Sequence, residues 1–302
     1  MAVIEVSNLA KRYGDQVALD GVSFSVEQGE IFGILGPNGA GKTTAVECMA
    51  GLRRPSSGTI RVLGLDPQQQ GHALRERVGV QLQETHLQDK LKVWEALDLY
   101  ASFYPRPADW NKLLETWGLA AKRNAMIGKL SGGQKQRLFI ALALVGNPEL
   151  VFLDELTSGL DPQARRLTWG LVKQIRDSGV TVVLVSHFMD EAEELCDRVA
   201  IFDQGQITAL DSPEGLIDLA ETTHRLLFRP TSELDEAELS GLPGVTGVSR
   251  EGGRVVVSGT GDFASAVTSE LARRRVLVAD LRIEGRTLDE AYVALTGHTL
   301  EV

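Results

Sequence analysis

Cysteine is scarce: Cys48 and Cys196 are the only two in 302 residues. Each falls in a helical stretch with no second thiol near it, so a disulfide framework and a thiolate metal site are set aside in favour of buried free thiols. Long apolar runs are missing as well. No segment approaches the roughly 18 uninterrupted apolar residues that a membrane-spanning helix needs, and the opening MAVIEVSNLAKRYG lacks the basic-then-apolar order of a secretory signal. The expected place is the cytoplasmic side. Positive charge is in deficit, 31 Lys and Arg against 41 Asp and Glu, for a formal net charge of −10, which argues against a general nucleic-acid binder. What remains is an ordinary soluble composition, 43% hydrophobic and 24% charged, in a length that suits one large or two modest domains.

Short β-like runs come first, at VIEVSNL, GVSFSV and EIFGILG, and the earliest of them are expected to form an antiparallel flank. A helix follows from near Lys42. Apolar strands at VGVQLQ, LVFLD, VTVVLVS and RVAIFDQ then alternate with helical stretches such as residues 162–177 and 188–196. Nearly continuous Val, Ile and Leu in strands separated by helices predicts an α/β core with a buried parallel sheet. Between Gln83 and Leu130 the strand signal stops, and helical spacing with Trp94, Tyr100, Phe103, Trp110 and Trp117 predicts an inserted helical subdomain, about residues 84–130, whose aromatics form its core. A boundary is expected at 220/221. Beyond it HRLLFRP, GRVVVSG and VLVADLRI read as strands, residues 263–274 and TLDEAYVALTG as helices, and GLPGVTGVSREGG as turns: a small α+β domain without a catalytic constellation.

GPNGAGKTT, residues 36–44, follows the strand EIFGIL and opens the helix TTAVECMAGL, so G-x-x-x-x-G-K-[ST] stands in the strand-loop-helix setting that it requires. The loop of Gly36, Pro37, Asn38, Gly39, Ala40 and Gly41 would curl so that its successive N–H groups, which Pro37 alone lacks, face an anion at a helix N-terminus. Lys42 would reach the β- and γ-phosphates, and the Thr43 hydroxyl, with Thr44 beside it, would ligate Mg2+. LVFL then ends in Asp154, placed to hold the Mg2+ directly or through water, and Glu155 is left to polarise an attacking water. A structural strand-end acidic pair is the alternative. His187, after VTVVLVS, would by itself be a surface or capping histidine; beside a phosphate loop and two acids it reads as a γ-phosphate contact.

LSGGQKQR, residues 130–137, repeats the logic on a smaller scale, with a hydroxyl, two permissive glycines and a helix start. One complete phosphate loop needs no second element for the same phosphates, so this one is expected to serve a nucleotide held by a second copy of the chain. GPNGAGKTT, Gln83, LSGGQKQR, LVFLDE, SGLD and His187, in this order, resemble the ATP-binding subunit of an ABC transporter over residues 1 to about 220. The resemblance implies an ATP- and Mg2+-dependent ATPase with an ABC-type P-loop NTPase core. It implies that Tyr13 stacks on adenine and that Gln83 senses Mg2+ and couples to a membrane partner. Ser131, Gly132 and Gly133, with Gln134, would contact the γ-phosphate of the opposite protomer, while Ser158 to Asp161 meet across the dimer interface. Glu155 becomes the general base, His187 holds the γ-phosphate, and the helices after Gln83 receive the membrane subunit.

The chain departs from the family at Leu156, where proline is usual, and leucine is expected to leave that turn freer. Asp161 and Pro162 read as a helix N-cap and N1 pair. The tail RTLDEAYVALTGH resembles the drug- and antibiotic-exporter branch, whose members pair with a separate ABC-2 type permease. The function so implied is powering export at the cytoplasmic face of the membrane, bound there through the permease. An importer subunit, or a soluble ABC protein of translation or DNA repair, is the alternative.

Overall fold

The computed structural model describes residues 1–83, 86–220, 224–231, 234–284 and 287–298. The first two residues of the expected helical subdomain, Glu84 and Thr85, and the expected boundary at 221 lie outside them. Two compact units emerge, Met1–Pro213 and Glu214–His298.

The first unit is built on a six-stranded sheet in the order Val78–Gln81, Leu150–Asp154, Thr181–Ser186, Ile31–Leu35, Arg198–Asp203, Gln206–Asp211. All neighbours are parallel except the last pair. Every residue of Ile31–Leu35, Leu150–Asp154 and Thr181–Ser186 is buried, as strands covered on both faces require. Because parallel strands all end on one side, the loops after Leu35, Gln81, Asp154 and Ser186 share one edge of the sheet, where ligands of open α/β sheets bind.

Ala2–Tyr13, Gln16–Glu27 and Ser57–Val62 form the antiparallel flank. EIFGIL does not join it, because its uninterrupted apolar run suits a two-sided burial at the sheet centre. The two sheets close on a common core in which the Phe24 and Phe32 rings stack at 5.4 Å and Phe202 meets Phe24 edge-on at 6.3 Å. Ser57–Val62 and Gln206–Asp211 lack a strong apolar run, and pairing with a neighbour makes them strands where local pattern does not.

Helices Val93–Ala101 and Trp110–Thr116 occupy the expected helical region. Of its five aromatics only Trp117 is truly core; Trp94, Tyr100 and Trp110 are half-buried and Phe103 is 69% exposed. Short helices cannot enclose so many rings, so the core reading fails for the other four. Both cysteines are free and buried, and burial pushes the Cys48 thiol up to about 11.

In the second unit, Val245–Glu251, Arg254–Gly259, His224–Pro230 and Val278–Glu284 make a four-stranded antiparallel sheet. Phe263–Arg273 lays Phe263, Val267 and Leu271 on Leu226, Phe228, Val255 and Val257. GLPGVTGVSREGG holds a strand as well as turns: Val245–Glu251 pairs with Arg254–Gly259 across Gly252 and Gly253, both at positive φ. Its glycines masked the alternation on which the sequence reading relied.

Candidate nucleotide site

The phosphate loop joins Ile31–Leu35 to the helix Lys42–Met49. Gly36 has φ +150°, and a Cβ there would stand 2.1 Å from the Phe202 carbonyl oxygen; at Gly41, φ +99°, it would stand 2.3 Å from that of Ala18. Only glycine fits at either place. The loop is thereby pressed between the parallel sheet and the antiparallel hairpin, and Gly205 N donates to Ala40 O (3.2 Å) while Asp20 N donates to Gly205 O (2.8 Å). Lys42 is 5% exposed and curls over its own loop, Nζ donating to the carbonyls of Gly36 (2.6 Å) and Pro37 (2.9 Å). Burial lowers its pKa, against the opposing pull of Glu155 and Asp154.

Asp154 ends its strand 1% exposed, and its Oδ2 accepts from the Thr43 hydroxyl at 3.1 Å. Its Oδ1 is buried without a hydrogen-bond partner. Burial pushes the carboxyl up to about 6, with the Thr43 bond opposing. A hydroxyl and a carboxylate oxygen 3.1 Å apart match adjacent corners of an octahedron with ligands at about 2.1 Å, and an orphaned carboxylate oxygen suits a hard cation, so the donor set fits Mg2+. Among the described residues no cluster of three His, Cys, Asp or Glu forms a dedicated cage, in keeping with a metal that takes most of its ligands from phosphate and water.

Glu155 sits at φ +51°, a sparsely populated conformation for a residue with a Cβ, while its N–H bonds to Val185 O at 2.9 Å. That kink turns its side chain away from Asp154 and into a ring of partners. Gln83 Nε2 (2.8 Å) and Ser158 Oγ (3.3 Å) donate to Oε2, and His187 Nδ1 lies 3.2 Å from Oε1. Leu156 beside it, at the place where proline is usual, is fully buried. Gln81, not singled out in the sequence, completes the support: its Nε2 donates to the carbonyls of Leu82 (2.9 Å) and Asp154 (3.2 Å). A polar residue closing the apolar strand VGVQ was the available signal.

Tyr13 lies at the hairpin end, 40% exposed, with Lys11 Nζ 5.0 Å and the Arg53 guanidinium carbon 5.3 Å from its ring centroid. The two cations flank the ring, a feature the sequence reading missed. Ser131 caps the helix Gly132–Leu144 and exchanges bonds with Gln134, 3.0 Å and 3.3 Å, rather than with the phosphate loop. Asp161 likewise caps Pro162–Asp177, accepting from the amides of Gln163 (3.0 Å) and Ala164 (2.9 Å). The single chain thus brings together Lys42, Thr43, Gln83, Asp154, Glu155 and His187. Ser131–Gln134 stands outside that group.

Residues 19–158 match the family described as ABC transporter. The Nod factor export ATP-binding protein I of Rhizobium etli is 36% identical over 309 aligned positions, covering 100% of this chain and 95% of that protein. The chain belongs to the ABC transporter family. The Nod factor export ATP-binding protein I of Burkholderia orbicola is 42% identical over 223 positions, 72% of this chain and 73% of that one. Among solved structures, cbiO1 from Clostridium perfringens, part of the ABC transporter complex cbiONQ, is 29% identical with a TM-score of 0.66 over 72% of this chain and 91% of that one. A bacterial ABC transporter cassette solved as a dimer is 28% identical with a TM-score of 0.62, over 69% and 98%. The ABC protein has the P-loop NTPase core of that family and hydrolyses ATP. No helix among its described residues is long and apolar enough to cross a membrane.

Proposed function

We propose that this ATPase powers export through a separate ABC-2 type membrane permease, and that two copies enclose two ATP molecules head to tail. The carrying observation is the carboxylate of Glu155, held by Gln83, Ser158 and His187 next to the Thr43–Asp154 pair. Tyr13 would stack on the adenine and the phosphate-loop amides would cradle the phosphates. Lys42 would exchange its carbonyl partners for the β- and γ-phosphate oxygens, a stronger, charge-assisted contact. Thr43 and Asp154 would hold Mg2+, which when bound neutralises charge on the leaving diphosphate. Glu155, confined by its three partners, would accept the proton of the attacking water, and His187 would hold the γ-phosphate in line.

A second copy is inferred because Ser131–Gln134, a capped helix start with Ser131 and Gly132 exposed, spends its side-chain hydrogen bonds within itself rather than on the phosphate loop of its own chain. An anion-binding element so placed completes a site only across a two-fold axis, with Ser158 to Asp161 alongside. The dimeric cassette among the similar structures supports this arrangement. Export is supported by the relatives named for Nod factor export. For the permease, a cavity of about 390 Å³ lined by Leu52, Leu82, His86, Tyr100, Tyr104 and Phe139 lies beside Gln81. With Leu52 53% exposed and Gln81, His86 and two tyrosines in its wall, it offers a seat of mixed polarity for a helix end close to Gln83. The second unit is read as an accessory domain that tunes dimerisation.

The test is co-reconstitution of the chain with its permease in vesicles. ATP-dependent movement of substrate away from the nucleotide side, lost in Glu155→Gln, is the expected result; movement toward that side makes it an importer. Loss of permease binding on changing Tyr100 and Tyr104 to Asp would support the groove, and unimpaired binding would move the dock elsewhere.

A further inference from the structure

Behind His187 lies a carboxylate that the mechanism does not use. Glu191, in the helix Met189–Leu195, is fully buried, and so is Ser186 at the end of its strand. Ser186 Oγ donates to Glu191 Oε2 at 2.6 Å, while the same oxygen accepts from the Phe188 amide at 3.0 Å. Trp169 Nε1, from the helix Pro162–Asp177, donates to Glu191 Oε1 at 3.1 Å. One turn earlier on that helix, Arg165 pairs with Asp190 at 3.3 Å, and its guanidinium carbon stands 4.4 Å from the Phe188 ring centroid. The Phe188 and His187 rings are 4.1 Å apart.

A hydroxyl has one proton to give. Here that proton goes to Glu191, which leaves a lone pair of Ser186 Oγ for the Phe188 amide. The residues on both sides of His187 are thus tied to one oxygen, and the proton of that oxygen is directed by Glu191. Burying a carboxylate costs heavily unless hydrogen bonds compensate. Two of its donors here come from the strand before His187 and from the helix that Asp161 caps.

We propose that Glu191 is a positioning residue for His187, acting through the Ser186 hydroxyl, and that Trp169 ties this position to the helix opening at the SGLD loop. This rests on the reading that His187 takes part in hydrolysis. The arrangement is selective about hydrogen-bond polarity. The indole of Trp169 only donates, so in Glu191→Gln the amide oxygen must face Trp169 and the NH2 must face Ser186. Ser186 Oγ would then receive two donors, and its own proton would have to turn away from residue 191. Removing the indole donor with Trp169→Phe frees the glutamine to turn its oxygen back to Ser186.

The experiment is steady-state ATP hydrolysis with MgATP, beside an equilibrium ATP titration and a thermal melt, for Glu191→Gln, Ser186→Ala, Trp169→Phe, the pair Glu191→Gln/Trp169→Phe, the pair Glu191→Gln/Ser186→Ala, and His187→Ala. Glu191→Gln and Ser186→Ala are each expected to lose about ten- to a hundredfold in kcat, the scale of a small misplacement of a reacting group, with ATP affinity unchanged. Trp169→Phe should restore part of the Glu191→Gln loss. The Glu191→Gln/Ser186→Ala pair should be no worse than Ser186→Ala alone, because both act on one path. Should Glu191→Gln not fold, Ser186→Ala carries the test by its split between kcat and affinity. Wild-type kcat in the folded variants while His187→Ala is inactive would overturn the positioning role alone. Independent, multiplicative losses would overturn it too, as would failure of Trp169→Phe to restore anything. Wild-type kcat in His187→Ala would remove the reading of the site on which it stands.

Discussion

Gln83 Nε2 donates to Glu155 Oε2 at 2.8 Å, so a residue just before the helical region holds the carboxylate that follows a sheet strand. A movement of one displaces the other. Changing Gln83 to Ala should leave ATP affinity near wild type and lower kcat by about tenfold or more, as the proposed base loses a partner. Titration and turnover on the same sample separate the two effects.

Glu155→Gln keeps the size of the side chain and removes the proton acceptor. Hydrolysis should fall by about 10²–10⁴ while ATP binding persists, so the ATP-bound dimer accumulates. Size exclusion with MgATP reads this directly, and a monomer at high protein concentration would refute the shared site.

Asp154 couples stability to pH. Its folded carboxyl is pushed up to about 6, against about 3.9 when unfolded. Between those values the folded chain binds the extra proton, so this group's contribution to stability falls as pH rises from about 4 through 6, by on the order of 2–3 kcal/mol. Asp154→Asn should therefore melt higher than wild type at pH 7.5 in EDTA, with the difference shrinking toward pH 4, while losing Mg2+-dependent turnover. Paired melts at the two pH values give the answer.

Leu156→Ala removes a fully buried side chain. A loss of about 2–5 kcal/mol is expected, with a further drop in kcat because Glu155, its neighbour, is held at φ +51° by the same turn. Denaturant titration and turnover under native conditions measure the two.

Ending the chain after Ala220 should preserve ATP affinity, since Lys42, Thr43, Asp154, Glu155 and His187 all lie in the first compact unit. Dimer affinity or coupling to the permease should change. Lost nucleotide binding in a chain that still shows a cooperative melt would bring the second unit into the site.

The parallel sheet and its phosphate loop were legible because their signals are local: apolar runs, glycines and a lysine at fixed spacing. Asp154 and Glu155 were legible for the same reason. What escaped depends on partners far along the chain. Ser57–Val62 is a strand because Ala2–Tyr13 offers it an edge, and Val245–Glu251 because Arg254–Gly259 does. Trp169 and Glu191 stand in unremarkable sequence, and only folding brings Trp169 to Glu191 and Glu191 to Ser186. The helical-region rings were misjudged for a related reason: spacing gives the face of a helix and says nothing of what covers it.

The two phosphate-loop glycines that admit no Cβ are pressed against carbonyls of different sheets, Gly36 on Phe202 and Gly41 on Ala18. The curvature of the loop is therefore a mould taken from both sheets at once. A chain whose hairpin has not yet closed over the parallel strands would lack one side of that mould, so ATP binding is expected to follow the meeting of the two sheets. Nucleotide then becomes a witness to completed assembly, engaging only those molecules already fit to work.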